Sequence, residues 1–324
     1  MADSRRKSTG PIVRRGFVTS ASGDGGQRFL GMALALLIGF CMGSCLKGPR
    51  TIVIGSKPFT ESIIMSTMAS LLLQQEGYTI SERFGVGSMI ARQALLANQI
   101  DLYPEYTGTA YTLYLDHSSA KVLSGDKLYN LVRKQDAAND IIWLDRSQVN
   151  NTYALALRKE DAARIGNTLS DLVRYNRNHP GELTFGVDHE FYERPDGFKA
   201  MARVYGLELE PDQVRTMEIG LSFESISRKQ IDVAMIYSTD GKLKKYNLSV
   251  LEDDRNFFPV YNACYNVHRS VLEKHPDIPG ILAPVATILD NQSMQELNYQ
   301  VDGKARPAFL VAREFLEKKG LLSR

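Results

Sequence analysis

Two of the 15 tyrosines in this 324-residue chain occupy matching positions. Gln99-Ile100-Asp101 is followed, five residues after the aspartate, by Tyr106; Gln230-Ile231-Asp232 is followed at the same spacing by Tyr237. A glycine comes shortly after each, at Gly108 and Gly241. Each segment closes a helical pattern and opens a strand. This predicts two halves of similar build, each presenting a tyrosine where a strand leaves its sheet. Open α/β sheets bind ligands beyond the carboxyl ends of their strands, so two facing halves would bring both rings into one cleft. The chemistry such a cleft offers is non-covalent capture. Coincidence among 15 tyrosines is the plain alternative.

Residue types that carry covalent or metal chemistry are not arranged for it. His117, His179, His189, His268 and His275 are scattered, without an H-E-x-x-H or similar pairing, so no metal site is expected. No G-x-x-x-x-G-K-[ST] loop occurs. Gly85-Val86-Gly87 begins like a dinucleotide fingerprint, but Ile90 stands where the third glycine belongs, so no nucleotide cofactor is expected. There is no G-x-S-x-G elbow. Cys264 lies far from Cys41 and Cys45 and is expected to be a buried small hydrophobe. The expectation is a protein that is not an enzyme, although a triad assembled from distant positions stays open.

The elements that must position the tyrosines are legible as alternation. Thr51–Gly55 reads as a buried strand, and Thr60 is placed to cap the helix that Gly77 ends. Ser88–Asn98 has the helical period, with Ile90, Ala94, Leu95 and Ala97 on its apolar side. Strands are expected at 141–144, 153–157, 183–187 and 231–237, with a helix at 196–205. The last sixty residues are mostly helical and end in an amphipathic stretch from Ala305 to Leu321. This order predicts an α/β protein with largely parallel sheets.

The amino terminus has a different character. Six of the 39 basic residues and only two of the 37 acidic ones fall in residues 1–44. The remaining chain is thus slightly acidic, which gives no reason to expect nucleic acid as a partner. Between Arg28 and Lys47 the chain is uncharged and reads FLGMALALLIGFCMGSCL, the form of an export signal. Met42-Gly43-Ser44-Cys45 resembles a lipobox, which would make Cys45 the lipidated first residue of the mature protein. Cys41 is the poorer candidate because Phe40 precedes it. An uncleaved anchor and ordinary cleavage remain alternatives. A twin-arginine reading of Arg14-Arg15-Gly16-Phe17 is weakened by Asp24 and the glycines that follow. All these routes place the body, residues 45–324, outside the cytoplasm, in the periplasm or on the outer face of the cell membrane.

Five segments, in order, carry a family resemblance. They are Gly55-Ser-Lys-Pro-Phe-Thr-Glu61, Ile100-Asp-Leu-Tyr-Pro-Glu-Tyr-Thr-Gly-Thr109, Asn151-Thr-Tyr-Ala-Leu155, Glu193-Arg-Pro-Asp-Gly197 and Ile236-Tyr-Ser-Thr-Asp-Gly241. Together they resemble the substrate-binding proteins of osmoprotectant ABC transporters, which take up glycine betaine, choline, carnitine and related quaternary amines. The likeness runs from about residue 51 to the carboxyl terminus. It implies a two-lobed periplasmic-binding-protein fold of type II with a ligand cleft between the lobes. Lobe 1 would comprise residues 51–152 plus 262–324, and lobe 2 residues 153–261. It further implies a monomer that hands its ligand to a permease with a separate ATPase subunit.

A quaternary ammonium donates no hydrogen bond, and aromatic faces offer it apolar contact together with a negative quadrupole. Matching motifs places Tyr106, Tyr153, Tyr237 and Tyr261 in an ammonium cage. Tyr192 is a possible substitute, and Tyr103 is expected to pack behind the cleft. Lys57, Thr109 and Arg194 match positions that hold a ligand carboxylate, with Asn151 where some relatives have aspartate. On this reading choline would leave the two cations uncompensated, and carboxylate-bearing ligands, glycine betaine foremost, are favoured. The rival expectations are a receptor for another small solute and an extracytoplasmic enzyme. A polyamine or an amino acid would suit the first, and acidic residues lining the cleft would point to the polyamine.

Overall fold

The structure, a computed structural model, describes residues 50–115, 117 and 123–323. The export signal and the lipidation candidate Cys45 lie outside the described residues. Among the described residues ten strands form two sheets of five: β1 (Thr51–Gly55), β2 (Thr79–Arg83), β3 (Leu102–Tyr106), β4 (Ile141–Trp143), β5 (Tyr153–Arg158), β6 (Phe185–Val187), β7 (Val214–Thr216), β8 (Val233–Tyr237), β9 (Leu248–Val250) and β10 (Ala263–His268). The orders are β2-β1-β3-β10-β4 and β7-β6-β8-β5-β9. In each sheet the first three strands are parallel, while the fourth runs antiparallel to both its neighbours. The sheets are therefore mixed rather than largely parallel. The reason is connectivity, because β5 and β10 enter their sheets from the opposite one and run against the central strand.

Helices cover the sheet faces. Those that bear on the cleft are α1 (Thr60–Gln75), α2 (Ser88–Leu96), α3 (His189–Glu193), α4 (Ile219–Ser227) and α5 (Asn291–Asn298), with α6 (Ala308–Lys318) behind α1. Helix α1 is buried along most of its length and α6 packs on it. Its amino-terminal cap is not the expected one. Phe59 holds the extended cap position, and the Thr60 hydroxyl instead donates to Asp302 Oδ1 at 2.6 Å. Gly77 takes the left-handed conformation that turns the chain out of the helix, φ +82°.

Helix α2 is rotated from the expected face. Ser88, Ala91, Arg92 and Leu95 are buried, whereas Ile90 is 64% exposed. Arg92 goes inside because Asp136 accepts from its Nη1 at 2.8 Å, and Trp143 Nε1 donates to the same carboxylate at 2.8 Å. A buried ion pair of this kind is invisible to apolar periodicity.

The two halves match segment for segment. Helix α2 leads to a left-handed residue (Asn98, φ 53°), then Asp101, then central strand β3; α4 leads to Lys229 (φ 58°), then Asp232, then central strand β8. Each aspartate clamps the neighbouring strand in the same way. The Asp101 N–H donates to Val53 O at 2.7 Å while its Oδ2 accepts from Val53 N at 2.7 Å. The Asp232 N–H donates to Thr184 O at 2.8 Å, and its Oδ2 accepts from Thr184 N at 3.0 Å.

The chain crosses from the first sheet to the second between β4 and β5 and returns between β9 and β10. The two crossings run side by side. Asn151 N donates to Tyr261 O at 3.0 Å, Tyr261 N donates to Asn150 Oδ1 at 2.7 Å, and Asn150 and Asn262 form an antiparallel bridge. A single apolar cluster then runs from Ile52 and Leu102 through Tyr106, Tyr261 and Tyr153 to Leu155 and Val233. Among the described residues no helix is long and apolar enough to cross a membrane.

Candidate functional site

Strand ends deliver the aromatic residues. Tyr106 is the last residue of β3 and Tyr237 the last of β8. Tyr153 opens β5 and faces Tyr237 in the strand register. Tyr261 precedes β10, two residues before the partner of Tyr106 in the register, Ala263. All four line one cavity of about 200 Å³, together with Phe59 from the start of α1. The rings form an unbroken series. Phe59 lies 5.9 Å from Tyr106 and 5.2 Å from Tyr237, and Tyr153 lies 5.4 Å from both Tyr237 and Tyr261, edge-on to the latter. Faces at different tilts around one space suit a roughly spherical cation.

Small residues and hydroxyl partners fix the rings. A Cβ on Gly108 would stand 2.5 Å from the Tyr261 ring, so only glycine permits that approach. The Tyr106 hydroxyl donates to Glu61 Oε1 at 2.8 Å and that of Tyr261 to Asp196 Oδ2 at 3.2 Å. Burial pushes all four of these tyrosines well above the ordinary phenol range, with Glu61 adding to the shift at Tyr106. They are neutral rings and hydrogen-bond donors at physiological pH.

The cations at the polar end already have partners. Lys57 lines the cavity, but its Nζ donates to Glu105 Oε1 at 2.5 Å, with the two side chains 3% and 0% exposed. Glu105 also accepts from Tyr106 N at 2.7 Å and from the Tyr103 and Tyr114 hydroxyls at 2.9 and 2.8 Å. Arg194 does not line the cavity. It grips Asp196 with two parallel bonds, Nε–Oδ1 2.8 Å and Nη2–Oδ2 2.7 Å, and lies 5.5 Å from the Tyr153 ring centroid. The charge of each cation is thus matched. A neutral hydroxyl end on the ligand would leave neither stranded, which removes the expected electrostatic bar against choline. Thr109 and Asn151 are buried and line the cavity.

The two suggested alternates stand elsewhere. Tyr103 is fully buried behind the cleft, and Tyr192 stacks near Phe198, 6.2 Å between centroids, beneath the Lys199 ammonium. Sequence reasoning missed Phe59, although the 55–61 motif contains it. It also missed Asp188, Glu190 and Glu218, which line the cavity. Burial raises the Asp188 carboxyl. At Glu190 burial also pushes upward, but Lys57, Ser88 and Arg194 outweigh it and hold the group below the usual glutamate range. Carboxylates without a full complement of cations make the cavity hospitable to positive charge.

Several hydrogen bonds cross between the halves around this cavity. Ser88 N donates to Glu190 Oε2 at 3.4 Å, the Thr239 hydroxyl donates to Glu61 Oε2 at 2.7 Å, and the Thr112 hydroxyl bonds Asp196. The described residues include no group of three or more His, Cys, Asp or Glu side chains able to hold a metal. Cys264 is buried.

Comparison with known proteins agrees with this architecture. Residues 50–318 match the family described as the substrate binding domain of the ABC-type glycine betaine transport system. The chain is 36% identical over 279 residues to a glycine-betaine-binding protein of Pseudomonas aeruginosa, covering 84% of this chain and 89% of that one. It is 35% identical over 274 residues to a carnitine transport binding protein of Listeria monocytogenes, covering 83% and 86%. A solved structure described as a glycine betaine/carnitine/choline ABC transporter superposes with a TM-score of 0.68 at 30% identity, over 84% of this chain and all of the other. With its paired mixed sheets and ring-lined interlobe cavity, the chain belongs to the substrate-binding proteins of ABC-type glycine betaine transport systems.

Proposed function

We propose that the protein captures a quaternary-ammonium osmoprotectant between its lobes and delivers it to an ABC permease. The observation that carries this reading is the series of five rings, contributed by both halves, around one cavity with carboxylates at its edge. The methylated nitrogen would rest against Tyr106, Tyr153, Tyr237 and Tyr261, with Phe59 as a fifth wall. Each good ring contact contributes about 0.5–2 kcal/mol, so several together support binding in the micromolar range. Lys57, Thr109 and Asn151 would meet the ligand's polar end, with Arg194 acting from behind Tyr153. The edge carboxylates favour cations in general, polyamines included. The rings favour a methylated one, because a primary ammonium must replace three hydrogen bonds that faces cannot supply.

Binding and release require no covalent step, and the ATPase would be a separate subunit. We place the body outside the cytoplasm, tethered through a lipid on Cys45. Loss of the protein from membranes on Cys45→Ser would support the tether, and unchanged membrane association would remove it. The functional reading is tested by isothermal titration of the purified protein with glycine betaine, choline, carnitine and proline betaine. One site with at least one of them is expected. Absence of heat with all four would end the proposal.

A further inference from the structure

Among the described residues two carboxylates accept from hydroxyls of the four cavity tyrosines, and they differ in what else they hold. Asp196, bonded by Tyr261, is paired with Arg194. Glu61, bonded by Tyr106 at 2.8 Å, also accepts from the Thr239 hydroxyl at 2.7 Å and from Asn298 Nδ2 at 3.4 Å. All three donors are neutral. Glu61 is 2% exposed, so its charge is met by neither a cation nor bulk water. It belongs to the first turn of α1, where the helix dipole favours a negative group. Burial pushes its carboxyl up, and the hydrogen-bond donors act against that. Asp240 nearby is of the same sign. Lys57 stands 5.2 Å from the Tyr106 ring centroid, but Glu105 already matches its charge. A buried carboxylate without a counter-ion is costly, and a cation brought close recovers part of that cost.

We propose that Glu61 is the counter-charge for the ligand's quaternary nitrogen, acting through the Tyr106 ring that separates the two. The inference rests on the ammonium reading of the cavity and names the residue that makes its rings select for charge as well as shape. Glu61 does not line that cavity; it lies beyond the Tyr106 hydroxyl, on an adjoining hollow of about 270 Å³. A phenol that donates to a carboxylate shifts electron density into its ring and deepens the negative face a cation meets. A neutral tert-butyl group of the same shape would keep the apolar contact and gain nothing from Glu61.

The test compares charged ligands with their neutral-headed carbon isosteres on the intact protein. The pairs are choline with 3,3-dimethyl-1-butanol and glycine betaine with 3,3-dimethylbutanoate, read by titration and, for weak binders, by ligand-observed NMR. Glu61→Gln keeps the shape, and the Tyr106 and Thr239 hydroxyls can rotate to accept from its amide. Glu61→Ser removes the same charge and lets water enter from the adjoining hollow, so it serves if the glutamine variant does not fold. Either variant should lower the charged-to-neutral affinity ratio about tenfold or more. Glu61→Asp, which retains the charge, should hold the ratio within about threefold even if both affinities fall. An unchanged ratio in the neutral variants would overturn the inference and leave the aromatic reading standing. Failure of the unaltered protein to bind any quaternary amine would remove that reading and this inference with it.

Discussion

Tyr106 and Tyr103 stand three residues apart in one motif, yet only Tyr106 reaches the cavity; Tyr103 is spent on Glu105, which in turn holds Lys57. Tyr106→Ala should therefore weaken ammonium binding by about 10- to 100-fold through loss of ring contact. Tyr103→Ala should act mainly on stability, and titration beside urea unfolding of the two variants separates these outcomes. Arg194 is a case of charge held for structure. Removing its guanidinium in Arg194→Met strands Asp196 in a largely buried site, and a loss of about 3–5 kcal/mol in unfolding free energy is expected. Asp240 makes a pH prediction. Burial, with Asp302 and Glu61 nearby, pushes its carboxyl up to about 7. Between its unfolded value and pH 7 the folded protein keeps a proton that the unfolded chain releases, so this group lowers stability as pH rises through that window. Asp240→Asn should raise the melting temperature at pH 8 and change it much less at pH 4, where the folded carboxyl is protonated and the unfolded one is still about half so.

At the scale of elements, the matched aspartates and glycines explain how short strands aim their last residues. Asp101 and Asp232 each tie a neighbouring strand through two hydrogen bonds and so hold β3 and β8 in register with the parallel strands beside them. Alanine at either position leaves a strand N–H unmet, and a destabilisation of about 1–3 kcal/mol, similar for the two, is expected from urea midpoints. Gly108 and Gly241 serve closer contacts. A Cβ at Gly108 would meet the Tyr261 ring at 2.5 Å, and one at Gly241 would meet the Tyr299 backbone at 2.3 Å. Gly108→Ala should displace Tyr261 and reduce ligand affinity beyond its effect on folding. Gly241→Ala should disturb how α5 and Tyr299 after it dock on the second lobe, since Gln295 and Asn298 of α5 donate there to Ser238 O and Thr239 O.

At the scale of the whole molecule, the proposed capture predicts that ligand binding and lobe closure are coupled. The rings come from both sheets, and the contacts Ser88–Glu190, Glu61–Thr239 and Thr112–Asp196 form only when the halves meet. A ligand touching both sides favours the closed arrangement by its differential affinity for it. A saturating quaternary amine should make the protein more compact by small-angle scattering. It should also stabilise it against unfolding by about 2.7 kcal/mol at a hundredfold excess over Kd. An unchanged scattering profile despite binding would mean that the halves do not hinge.

Local information was enough for the alternation of strands and helices, the repeated helix–aspartate–strand segment and the placement of Tyr106 and Tyr237 at strand exits. Each depends on residues within a few turns of one another, and periodicity reports such relations directly. Tertiary contact alone decided the rest. The reversal of β5 and β10 follows from the chain's passage between sheets. The burial of Arg92 follows from Asp136, and the rotation of α2 follows from that burial. The pairing of Lys57 with Glu105 and of Arg194 with Asp196 quenches cations that, read in isolation, pointed to a carboxylate on the ligand. A side chain's charge is written in the sequence, but whether that charge is free to meet a ligand depends on which opposite charge the fold brings within a few ångströms.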